Sequence, residues 1–125
     1  MLGAHKIVAF VPTTDAQRAR EFYEHKLGLK FVSEDGFAIV FDANGIMLRV
    51  VKLKEHTPAQ FTILGWEVPD AQRSVSELQA RGVQFERYPW AQQDELGIWT
   101  APGGAKVAWF KDPDGNVLSV TQFPK

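Results

Sequence analysis

The chain has 125 residues, 45% hydrophobic and 23% charged, the profile of one ordinary globular domain large enough to fold without a disulfide or metal staple. A net charge of −1, with Lys and Arg scattered, argues against nucleic acid or an anionic membrane as partner, and the absence of cysteine excludes disulfides, Cys-ligated zinc and a thiol nucleophile. No run approaches the ~20 apolar residues of a membrane span and no signal-like segment opens the chain, so a cytoplasmic location is expected.

Ile7 to Val11 is a short apolar run that reads as a buried strand stopped by Pro12. Thr14 or Asp15 can cap a helix, because a short side-chain oxygen satisfies free amides of the first turn. Ala19, Phe22, Tyr23 and Leu27 then recur at helical spacing, Arg20 and Glu24 form an outer pair, and Gly28 suits the left-handed stop. Strands are expected over 29–33, 37–41 and 47–53, the last two joined by the hairpin signal Asn44-Gly45.

Residues 54–60 are polar and read as a connection, after which the order restarts. An apolar strand over 61–68 is stopped by Pro69, Asp70 caps a helix carrying Val75 and Leu78, and Gly82 ends it. A strand is expected over 83–88, then a longer loop through Trp90, Asp94 and Glu95, then extended segments 98–100 and 105–111 about Pro102-Gly103-Gly104. The turn Asp112-Pro113-Asp114-Gly115 leads into a last strand over 117–122.

The tetrapeptide Asp-Ala-Gln-Arg occurs at 15–18 and again at 70–73. A repeated polar tetrapeptide is usually chance or shared capping propensity. Here the same order surrounds both copies, which makes it the trace of a duplication. The fold class is α+β: two tandem βαβββ modules, one over 1–53 and one over 61–125, within a single domain.

The pattern Asp15, Phe22-Tyr23, Leu27-Gly28-Leu29, with a second half ending in Asp112-Pro113-Asp114-Gly115-Asn116, resembles the vicinal oxygen chelate superfamily of glyoxalases, extradiol dioxygenases and bleomycin resistance proteins. The resemblance spans almost the whole chain. It implies two modules that each curl into half of a concave sheet with the helix outside, a cup for the ligand, and a homodimer, since relatives of this length build their cups between chains. In metal-using members, four strand positions supply His and carboxylate ligands, and a divalent metal stabilises developing negative charge.

Carried onto this sequence, the resemblance puts the first ligand position at Lys6, or at Val8 if Asp15 sets the alignment; the others fall at Arg49, Ile63 and Ser119. Cationic and aliphatic side chains do not ligate Mg²⁺, Zn²⁺, Ni²⁺ or Fe²⁺. His5 has the wrong strand parity unless β-bulged, and His25 and His56 fall in a helix and a loop. No metal and no cofactor are therefore expected.

Alternation from the ligand positions predicts a lining of Val8, Phe10, Met47, Arg49, Val51, Ile63, Gly65, Glu67, Val117, Ser119 and Thr121. Trp109 and Trp99 are expected beside it, and Trp66 on the opposite, helix-covered face. An aromatic cup with a few polar groups suits a small molecule. The expected ligand-binding residues are Lys6, Phe10, Met47, Arg49, Ile63, Trp99, Trp109 and Ser119, with Arg49 as a fork for a carboxylate or phosphate. Glu67 is the catalytic candidate, a general base if burial raises its pKa. Three readings follow: a metal-independent binder acting by sequestration, a glyoxalase-, isomerase- or dioxygenase-like enzyme rebuilt on Glu67 and Arg49, or a structural or regulatory module whose cup is packed shut. The loop 88–97 is read as a lid or as a dimer interface. Neither nucleic acid nor membrane is expected as partner.

Overall fold

The computed structural model describes all 125 residues, and the chain divides into two compact units, 1–57 and 58–125, parting inside the expected connection 54–60. Each unit is one four-stranded sheet with a helix packed on one face.

In the first unit the strands are β1 (Val8–Thr13), β2 (Lys30–Glu34), β3 (Ala38–Ala43) and β4 (Ile46–Lys52), in the order β1-β4-β3-β2. β1 runs parallel to β4, and the other pairs are antiparallel. β1 does not stop at Pro12 as expected: Pro12 sits in register with Val51 and the strand continues to Thr13. A proline has no N–H to give, and at a sheet edge none is required on the open side.

Helix α1 (Ala16–Arg20) continues as wider, π-type turns over Glu21–Lys26. Asp15 caps it, its Oδ1 accepting from the Arg18 amide at 3.2 Å. The helix lays Ala19, Phe22 and Tyr23 on the sheet, where Val11, Ile39, Phe41, Leu48 and Val50 are all buried. Tyr23 and Phe41 meet at 6.0 Å between ring centroids. Full burial of a side chain of this size contributes about 1.5–3 kcal/mol, so this face holds the unit together.

The second unit repeats the plan. Its strands are β5 (Thr62–Glu67), β6 (Trp99–Thr100), β7 (Lys106–Lys111) and β8 (Val117–Gln122), in the order β5-β8-β7-β6, with β5 parallel to β8. Helix α2 (Ala71–Ala80) is capped by Asp70, whose Oδ1 accepts from the Arg73 amide at 3.1 Å. Asp15 and Asp70 share nearly one backbone geometry, at φ −143°, ψ 95° and φ −147°, ψ 101°. Both helices end at a glycine with positive φ, Gly28 at 77° and Gly82 at 91°, which a side chain would strain. Trp66 faces the helix side as expected, stacked on Phe110 at 6.4 Å.

The strand expected over 83–88 does not form. Phe85 makes a single bridge to Phe110, and the Glu86 amide donates to the Trp109 carbonyl at 2.8 Å. The edge of β7 is instead shared between this bridge and β6, with residues 87–98 looping out between them. Beyond the bridge, Trp99 of β6 holds the place opposite Val107, and the Gln93 side chain satisfies backbone that is left over. Its amide takes the Tyr88 N–H and the Glu86 carbonyl, main-chain groups a continuous strand would have paired.

Candidate functional site

Sheet register fixes which side chains share the face away from each helix. In the first unit Phe10, Arg49 and Val40 lie side by side across β1, β4 and β3. In the second unit Gly65, Ser119 and Trp109 lie side by side across β5, β8 and β7. The duplication relates the two rows, since Phe10 precedes Asp15 by as many residues as Gly65 precedes Asp70. The copies have diverged in opposite senses: bulk and positive charge at Phe10 and Arg49, bulk at Trp109 with a notch at Gly65.

The first row carries an exposed aromatic and an unshared cation. Phe10 is 61% exposed and Met47, one row along opposite Val8, is 43% exposed. Arg49 is half-buried among them, and its charge helps hold the Asp35 carboxyl below its usual range. The main cause there is hydrogen bonding from the Phe37 and Ala38 amides, at 2.8 and 3.0 Å. Lys6 precedes the first residue of β1 and is exposed.

In the second row, Ser119 is 6% exposed and lies beneath Gly65; a Cβ added at Gly65 would stand 2.8 Å from Ser119 Oγ. Glycine here leaves room for the hydroxyl. The next row is Glu67, Thr121, Val107 and Trp99, with Glu67 exposed at the end of β5, where water solvates its carboxylate. Ile63 falls at an irregularity in the β5–β8 pairing, so its facing does not follow from simple alternation. The buried Asp112 sets the β7–β8 register. It accepts from the Asp114 and Asn116 amides at 2.9 Å each and from Asn116 Nδ2 at 2.8 Å, fixing Trp109 opposite Ser119.

Above Trp99 and Trp109 the loop brings in two further rings. Trp90 meets Trp99 and Trp109 edge-to-face, each at 5.4 Å, and stacks on Tyr88 at 5.9 Å. Tyr88 meets Trp109 edge-to-face at 5.4 Å, and Trp99 and Trp109 lie 5.9 Å apart. Such pairs contribute about 0.5–1.5 kcal/mol each beyond the area they bury. Burial, followed by the charge of Glu86, raises the Tyr88 phenol above its ordinary value. Alternation placed Trp99 and Trp109 at this site. It had no means of placing Tyr88 or Gln93, whose positions depend on a loop without period; the run Tyr88-Pro89-Trp90 in a polar stretch was the only signal.

The metal of the resemblance does not fit these residues. The β4 and β8 positions hold Arg49 and Ser119, and no three His, Asp or Glu side chains converge in a way that could hold a metal ion. No helix is long and apolar enough to cross a membrane.

Two sheets of identical strand order, each carrying one helix and related by an internal repeat, define the paired βαβββ class. The family model described as the glyoxalase/bleomycin resistance protein/dioxygenase superfamily matches residues 5–120, and the chain belongs to that superfamily. Among solved structures, it is similar to the bleomycin resistance determinant encoded on the transposon Tn5, with 20% identity and a TM-score of 0.76 over 97% of this chain and 99% of that one. It is also similar to lactoylglutathione lyase from Agrobacterium tumefaciens, with 17% identity and a TM-score of 0.74 over 95% and 93%. A superfamily member from Sphaerobacter thermophilus gives 21% identity and a TM-score of 0.72 over 94% and 96%. These likenesses establish the fold. No curated protein matches the sequence.

Proposed function

We propose that the protein binds an aromatic small molecule without a metal, holding it in an aromatic-lined cup and acting by sequestration; the likeness to a bleomycin resistance determinant supports this reading. The observation that carries this reading is the four-ring cluster of Tyr88, Trp90, Trp99 and Trp109, on the face that also carries Ser119. Aromatic surface with a few fixed polar groups binds small molecules by stacking and orients them by hydrogen bonds. In the first unit, taken by itself, Phe10, Met47 and Arg49 offer exposed apolar surface beside a cationic fork. A homodimer in the cytoplasm belongs to the same reading.

Thermal-shift screening against antibiotics and aromatic metabolites tests it. At least one ligand should raise the melting temperature in the presence of a chelator, and Arg49→Ala should reduce that shift. A broad panel without a stabilising ligand, together with detected turnover of a small substrate that Glu67→Gln abolishes, would establish the enzyme reading instead. Sedimentation velocity checks the dimer.

A further inference from the structure

The loop between the bridge at Phe85 and β6 is tied down along its length. Gln93 Oε1 accepts from the Tyr88 amide at 2.8 Å, while Nε2 donates to the carbonyls of Glu86 at 2.9 Å and Gly97 at 2.8 Å. Arg87 Nη2 donates to the carbonyls of Asp94 at 2.9 Å and Glu95 at 2.7 Å. Asp94 Oδ1 accepts from the Leu96 and Ile98 amides, both at 2.9 Å. A loop with this many side-chain ties to its own backbone is held in one shape, not free to swing as a lid.

Held there, Trp90 touches three rings yet remains 64% exposed. The cluster is packed, since edge-to-face rings at 5.4 Å leave no room for a molecule between them. Tyr88 and Trp90 lie against Trp109, so its ring is partly covered from the loop side. Tyr88, Trp99 and Trp109 are each only partly exposed, and Trp90 is the most open ring of the cluster. Charge on the same face and loop is negative: Glu67, Glu86, Asp94 and Glu95 against Arg87 and Lys111. Lys111 and Glu86 neutralise each other at 3.5 Å, and Arg87, bonded to neutral carbonyls, keeps its charge and offsets only one of the remaining carboxylates.

We infer that Trp90 is the stacking platform for the ligand, that Gln93 is the positioning residue that presents it, and that the group received there is a flat aromatic cation. This rests on the small-molecule reading above and names the group and the residue that read it. An indole face attracts a cation through its quadrupole, and the net negative charge of the loop that carries Trp90 adds to that preference.

The test uses acridine orange, a flat aromatic cation, and anilinonaphthalene sulfonate, an aromatic anion, with the full chain and isothermal titration. Wild type should bind the cation at least about tenfold more tightly than the anion, and Trp90→Ala should weaken the cation about tenfold, the scale of one well-placed ring. Gln93→Ala should weaken it similarly with Trp90 still present, and should diminish the near-ultraviolet circular dichroism of the coupled rings while the far-ultraviolet spectrum is kept. Wild type that ignores acridine orange, or that binds both dyes alike, overturns the assignment. So does Trp90→Ala with unchanged affinity. So does a dimer that dissociates on Trp90→Ala with dye affinity per chain intact, which would make Trp90 an interface residue. If the thermal-shift panel still finds a ligand in any of these cases, the small-molecule reading stands and only the Trp90 assignment falls.

Discussion

Replacing Gly65 by alanine probes the notch over Ser119 directly. The added Cβ would stand 2.8 Å from Ser119 Oγ and 3.5 Å from its carbonyl, the first well inside contact distance and the second ordinary. Overpacking of this kind costs about 1–3 kcal/mol. Against that, Gly65 does not have a positive φ, so alanine is conformationally allowed and gains about 0.4–1 kcal/mol by restricting the unfolded chain. The net expectation is a destabilisation of about 0.5–2 kcal/mol. With Ser119→Ala the clashing oxygen is gone, and Gly65→Ala should become stabilising by about 0.4–1 kcal/mol, a coupling of about 1–3 kcal/mol. Urea unfolding followed by tryptophan fluorescence measures this, because Trp66, Trp90, Trp99 and Trp109 all lie in the second unit. If Gly65→Ala costs the same in both backgrounds, the Ser119 hydroxyl is not what Gly65 makes room for, and the description of the notch is wrong.

Asp15→Ala and Asp70→Ala should each destabilise the protein by about 1 kcal/mol, with only the second shifting the tryptophan-detected urea transition if the units unfold separately. Asp112→Ala removes the acceptor of two amides and the Asn116 side chain from a buried turn, and should cost about 3 kcal/mol by the same assay. Tyr88, with its phenol raised by burial, favours folding while it is neutral. Its contribution should be complete below the ordinary phenol range and decline as pH rises through that range, and Tyr88→Phe should remove this part of the alkaline loss of stability. Ultraviolet titration of phenolate in wild type and Tyr88→Phe checks the assignment.

Local chemistry made much of this molecule legible in the sequence. Asp15 and Asp70 announce helix starts because a carboxylate at that point satisfies free amides, and Gly28 and Gly82 announce the ends because only glycine takes the left-handed turn without strain. Strand alternation put Phe10 with Arg49 and Trp109 with Ser119 on one face of their sheets, since period two depends on nothing beyond the backbone. The positions that the resemblance implies for metal ligands fall at Arg49 and Ser119, neither of which is a His or a carboxylate.

What the sequence could not decide lies where the backbone leaves its periods. Pro12 reads locally as a stop, yet an edge position lets β1 run on, and edge status is a property of the sheet. Residues 83–88 carry strand propensity, but β6 pairs with β7 where they would continue, and Gln93 takes the Tyr88 amide and the Glu86 carbonyl. The loop that results carries Trp90 onto Trp99 and Trp109. The repeat, the caps and the facing of the strands are short-range consequences of residue type. The aromatic cluster depends on β6 taking the edge of β7 and on one glutamine amide holding the loop, pairings distant in sequence that only the folded chain records.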